Sequence, residues 1–149
     1  MRIAISLLTV ISAVTFIFTS PPMSTPSDNI VFKIYSSPLC GCCDGYENYL
    51  RSAGATVQPV KIYDVAAFKT SLNIPRGVWS CHTSVVEDYF IEGHVPIKVV
   101  RKLLDEKPDI RGIALPGMPA GSPGMGGVKN QPFTIYLITL DSVEIYMIL

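Results

Sequence analysis

Runs of apolar and β-branched residues, separated by short polar breaks, divide the chain into brief elements. Asn29 to Tyr35 (NIVFKIY) carries no breaker and predicts a core strand. Tyr46, Tyr49, Leu50 and Ala53 recur at helical spacing, so Tyr46–Ala53 predicts a helix, closed by Gly54. Thr56 to Tyr63 (TVQPVKIY) reads as a second strand, with Pro59 placing it at a sheet edge or bulge. Asp64 is a natural cap for a short helix over Val65 to Leu72. The order β-α-β-α predicts a second strand parallel to the first.

Further along, Ser84 to Ile91 (SVVEDYFI) reads as one strand interrupted by Glu87-Asp88. Pro96 suits the first turn of a helix whose Ile97, Val100, Leu103 and Leu104 share a face, with Asp105 to Pro108 closing it. Ile110 to Leu115 predicts a short strand. Pro116 to Gly127 holds too much proline and glycine for either helix or strand. Phe133–Thr139 and Val143–Leu149 are apolar runs around a Leu140-Asp141-Ser142 turn, which predicts a terminal hairpin. The fold class expected is α/β.

The N-terminus stands apart. Met1-Arg2 and an uncharged apolar run, Ile3 to Ser20, read as an export signal over residues 1–22. The run is near the lower length limit for a spanning helix, and Pro21-Pro22 follows with no clean small-residue cleavage site. A cleaved signal and an uncleaved membrane anchor through residues 3–20 both fit, and either exports the domain. Residues 23–28 are a Pro/Ser-rich tether, leaving 29–149 as one domain. Formal charge is balanced, at zero net, so nothing suggests nucleic acid, and no phosphate-binding loop is present.

Four cysteines carry the candidate chemistry. Cys40, Cys42 and Cys43 stand at a strand-to-helix junction, and Cys81 returns from far away. A helix N-terminus favours thiolate through its partial positive charge and free N–H groups. In an oxidising compartment four cysteines suggest disulfides, yet Cys40, Cys42 and Cys43 are too close to pair freely; only Cys40–Cys43 has C-x-x-C spacing. That pair inside a βαβ pattern is a redox signature. Cys42, lodged within it, offers competing disulfides to an exchange enzyme, whereas for a soft metal a third thiolate is an asset. His82 is a candidate ligand or orienting neighbour. Met118 and Met125 offer thioethers suited to Cu(I), or simple loop packing. His94 reads first as a structural group bonded to loop backbone, with a metal role as the sharper alternative, and Trp79 as core. Zinc ranks lower because the cysteines do not form two C-x-x-C pairs, and the spacing fits no common ferredoxin run.

Five segments in order, Cys40-Gly41-Cys42-Cys43, Ser80-Cys81-His82-Thr83, Glu92-Gly93-His94-Val95-Pro96, Pro116-Gly117-Met118-Pro119 and Gly121-Ser122-Pro123-Gly124-Met125, resemble a family of small exported bacterial proteins. The family is a domain of unknown function associated with metal binding, and it includes copper-resistance proteins of the CopG type. The resemblance covers roughly residues 30 to 148. It implies a thioredoxin-like βαβ core with a C-terminal β-hairpin and a periplasmic setting. It also implies Cu(I), in a multinuclear form, on Cys40, Cys42, Cys43 and Cys81. The role implied is copper tolerance, extending to copper redox chemistry, in a metal-binding protein rather than a classical enzyme. A thiol–disulfide oxidoreductase working through Cys40 and Cys43 is the other reading. Tyr46 stands near where family members often carry Trp, and Asp141-Ser142 replaces the usual Asp-Gly of the terminal turn.

Overall fold

The computed structural model describes residues 29–149; the segments read as export signal and tether, residues 1–28, lie outside the described residues. The elements run β1 (Val31–Ser36), α1 (Gly41–Ser52), β2 (Thr56–Lys61), α2 (Val65–Ser71), β3 (His82–Val86), β4 (Tyr89–Gly93), α3 (Ile97–Glu106), β5 (Gly112–Leu115), β6 (Thr134–Ile138) and β7 (Val143–Ile148), with one 3-10 turn at Arg76–Val78. All seven strands join one sheet in the order β2-β1-β3-β4-β5-β6-β7. The mixed α/β class, the parallel β1–β2 pair and the terminal β6–β7 hairpin are as expected. A second parallel pair, β4–β5, is linked through α3. Among the described residues no helix is long and apolar enough to cross a membrane.

Two expectations change. α1 begins at Gly41, five residues before the periodic apolar face, because the first turn of the helix is built from the cysteine motif itself. Gly41 is therefore a helical residue. The run Ser84–Ile91 is not one strand but a hairpin. Val86 pairs Tyr89 across the two-residue turn Glu87-Asp88, and Glu87 takes a left-handed φ of 49°. Glutamate rarely occupies that conformation, and an Asn-Gly turn would have announced the reversal.

The sheet is covered on both faces. Phe32, Ile34, Val86, Ile91, Ile113 and Ile135 pack beneath α1 and α3, which contribute Tyr46, Leu50, Val99, Val100 and Leu103. A smaller cluster of Ile74, Val78, Phe90, Ala114 and Ile138 joins Leu72, Trp79 and Tyr136. Trp79 belongs to that packing, and its indole N–H donates to the Ile74 carbonyl at 2.8 Å. β2 is an edge strand, as Pro59 foretells: proline has no N–H to give to a further neighbour. Asp64 caps α2, its carboxylate accepting from the Ala67 N–H at 2.8 Å.

Candidate metal centre

β1 ends at Ser36, and the chain turns at once. The Cys40 N–H donates to the Ser37 carbonyl at 3.1 Å across a Pro38-Leu39 turn, where proline fixes the first central φ. Cys40 is then the N-cap of α1, without any side-chain hydrogen bond to the helix. A cysteine sulfur at the cap, instead of the usual hydroxyl or carboxylate, leaves the helix end's N–H groups and positive potential to the sulfurs. Cys43 points inward and is fully buried, while Cys42 and Cys40 are half-exposed. Asp44, whose charge would oppose thiolates, turns away and pairs with Lys61 at 2.9 Å.

Cys81 arrives from the other side, just before β3. Its sulfur joins those of Cys40, Cys42 and Cys43, and all four Sγ atoms lie within 4.8 Å of one another. Cys40 and Cys43 are joined as a disulfide, with Cα atoms 5.4 Å apart; Cys42 and Cys81 are free thiols. The Cys40 and Cys42 sulfurs are 3.3 Å apart. Burial, and then the neighbouring Cys42, push the Cys81 thiol up to about 12. A neutral thiol is thus the resting form of Cys81, and a bound cation would have to displace its proton.

Both histidines flank Cys81. His82 Nδ1 is 3.3 Å and His94 Nε2 is 3.1 Å from its sulfur, so Cys81, His82 and His94 form a second close group of ligand-type atoms. His94 is also bonded to loop backbone, as expected, with Nδ1 2.7 Å from the Pro123 carbonyl oxygen. A carbonyl only accepts, so Nδ1 carries the proton. In the neutral ring Nε2 then keeps its lone pair toward Cys81. Burial lowers the pKa of both imidazoles, most strongly for His82. His82 Nε2 is buried without a hydrogen-bond partner.

The Pro/Gly loop closes over the helix end. Met118 Sδ sits 3.8 Å from the Cys42 sulfur, and Met118 itself has a left-handed φ of 47°. Met125 is half-buried in the same loop and its N–H donates to Ser122; the contact to the sulfurs belongs to Met118. The loop lies directly on α1. A Cβ on Gly45 would stand 2.4 Å from the Gly124 carbonyl oxygen, and one on Gly124 would stand 2.3 Å from the Tyr46 amide. Glycine at both positions is what allows two backbones to touch.

Sequence patterns alone did not mark three of these features. Gly45 looks like an unremarkable helix residue until Gly124 is placed against it. Tyr46 reads as core, yet its hydroxyl donates to the Val95 carbonyl at 2.7 Å and its ring lies 4.8 Å from His82 and 5.1 Å from His94. A buried Lys69–Glu92 ion pair lies beside the chain that leads into Cys81.

The donor set fits a soft ion: four cysteine sulfurs, a thioether and two imidazoles, with no carboxylate among them. A family described as a protein of unknown function, DUF411, matches residues 78–125, which span the second cysteine segment, both histidines and the methionine loop. Two solved structures resemble the whole domain. "Copper resistance protein copG- Form 2" is 32% identical, covers 81% of this chain and 98% of its own, and superposes with a TM-score of 0.76. "Copper resistance protein copG- Form 1" is 33% identical, covers 80% and 97%, and gives 0.74. No curated protein matches the chain. With that identity over nearly the full length of both structures, the chain belongs to the CopG-type DUF411 family.

Proposed function

We propose that this chain is an exported copper-binding protein of copper resistance that holds Cu(I) on the thiolates of Cys40, Cys42, Cys43 and Cys81. One observation carries the reading: every cysteine in the chain, from two segments far apart in sequence, converges within 4.8 Å. The two solved relatives are named as copper resistance proteins, which makes copper the first metal to test. Thiolates bridge soft ions readily, so more than one copper per chain is the expectation. When bound, copper supplies one-electron redox chemistry; the chain's own contribution is to gather the thiolates and orient the ligands. Met118 borders Cys42, and His82 and His94 border Cys81, as further donors or as groups that orient the thiolates. Loading all four sulfurs requires prior two-electron reduction of the Cys40–Cys43 disulfide. Residues 1–22 act as the signal or anchor that brings the domain to the periplasm.

The test is metal content of the full chain, purified anaerobically after growth with copper, with thiols titrated on the same sample. Two or more coppers per chain, with thiols protected until a chelator is added, is the expected result. The Cys40–Cys43 disulfide at a helix start favours one other reading, a thiol–disulfide oxidoreductase. Cys42→Ser separates the two. A cluster loses copper, whereas an exchange enzyme keeps its Cys40–Cys43 cycle.

A further inference from the structure

The three sulfurs of the first motif are fixed by a helix end, but Cys81 lies in no helix or strand. The β1–β3 ladder stops at Ser36 paired with His82, and the β3–β4 ladder stops at Thr83 paired with Glu92. Cys81 is one residue beyond the last pair, and Ser80 two. What holds this stretch is Glu92. Its Oε1 accepts from the Ser80 N–H at 2.5 Å, and its Oε2 accepts from the Thr83 hydroxyl at 2.6 Å. One carboxylate therefore spans residues 80 to 83 and brackets Cys81 and His82. Lys69 of α2 completes the group, donating to Thr83 Oγ1 at 2.9 Å and to Glu92 Oε1. From the other direction the Ser80 side chain packs on Gly93, where a Cβ would come within 2.6 Å of its Oγ.

This pair is costly to place here. Glu92 is wholly buried and Lys69 is 2% exposed. Replacing a buried ion pair by apolar residues of similar size is often neutral or stabilising, so stability alone is a weak reason for it. Its bonds all converge on the segment that delivers the fourth sulfur.

We propose that Glu92, held by Lys69, is a positioning residue that fixes Cys81 against the other three cysteines through the Ser80 N–H. The effect on metal binding rests on the copper reading above; the effect on Cys81 does not. The experiment therefore has two readouts on the full chain, reduced and anaerobic. One is amide hydrogen exchange at Ser80 without metal. The other is Cu(I) affinity, by competition with a colorimetric Cu(I) chelator, together with sulfur-to-copper charge-transfer absorption.

In the unsubstituted protein the Ser80 amide should be protected; exchange at the free-peptide rate would overturn the proposal. Lys69→Met/Glu92→Leu removes both charges and the acceptor. Ser80 should then exchange about tenfold faster or more, and Cu(I) binding should fall to the level of Cys81→Ser. Lys69→Met/Glu92→Gln keeps an amide oxygen to accept from Ser80 and should restore both readouts to within about threefold. A folded Leu variant that matches the unsubstituted protein in both readouts would overturn the proposal. So would a Gln variant as impaired as the Leu variant. If the unsubstituted protein binds no Cu(I), the copper reading falls, and Ser80 exchange alone still decides whether Glu92 positions this segment.

Discussion

The two imidazoles beside Cys81 are held in different ways. His94 is oriented by the Pro123 carbonyl, while His82 is buried with its Nε2 unpartnered. Burial lowers both pKa values from the ordinary 6.5. The folded chain thus resists a proton that the unfolded chain accepts. Stability contributed by this difference is complete above about 6.5 and is lost as pH falls through the lower folded values. Metal-free protein should therefore show a falling urea midpoint between pH 7.5 and 5. His82→Asn/His94→Asn should flatten that dependence, and an equal slope in both proteins would refute it. Tyr46 provides a second test at this scale. Tyr46→Phe leaves the Val95 carbonyl without its buried donor, an expected loss of about 1–3 kcal/mol in chemical denaturation. Residue types were the most legible part of the sequence. The four cysteines, His82, His94 and Met118 stand out because few side chains share their chemistry. The roles of Tyr46, Lys69 and Glu92 are not legible there, because they depend on partners 49, 23 and 12 residues away.

At the scale of elements, periodicity located most helices and strands and misplaced two junctions. It measures burial on one face, and both junctions serve something else. The first turn of α1 is spent on thiols, so its apolar pattern begins only at Tyr46. The β3–β4 turn lacks the residues that favour a tight reversal, and Glu87 occupies φ 49° regardless. Glu87→Asn should relieve part of that strain and stabilise the fold by up to about 1 kcal/mol. A lower melting temperature would show that the Glu87 side chain does something the turn needs. The Gly45–Gly124 contact is the opposite case, an intimate junction with no latitude. Gly124→Ala adds a methyl 2.3 Å from the Tyr46 amide at a φ of 75°. Strain and clash together should cost about 1–3 kcal/mol or more, and lift the loop that carries Met118 and Pro123. The check is a thermal melt together with tenfold or greater loosening of Cu(I) at unchanged copper stoichiometry, since all four cysteines remain.

For the molecule as a whole, the site is a meeting point of three chain segments, 40–43, 81–94 and 118–123, at the ends of β1, β3 and β4. The topology makes this possible: a parallel β1–β2 unit puts α1's N-terminus beside the end of β1, and antiparallel β3 then starts at that same end. A sequence reader can list the segments but cannot see them meet, because β3 and β4 read as one strand and would have carried His94 away from Cys81. If, as proposed, no segment holds the metal alone, binding draws on the folded chain and should stabilise it. A ligand that binds only the native state stabilises by RT ln(1 + [L]/Kd), about 4 kcal/mol at a thousandfold excess over Kd. Reduced protein with Cu(I) buffered at that excess should unfold later in urea by an amount of this size. In Cys81→Ser, where the remaining thiolates all lie within one short motif, the gain should be far smaller, because a local site binds the unfolded chain almost as well. Equal gains in the two proteins would mean that copper is held by the first motif alone, and that the convergence of Cys81 serves packing rather than metal.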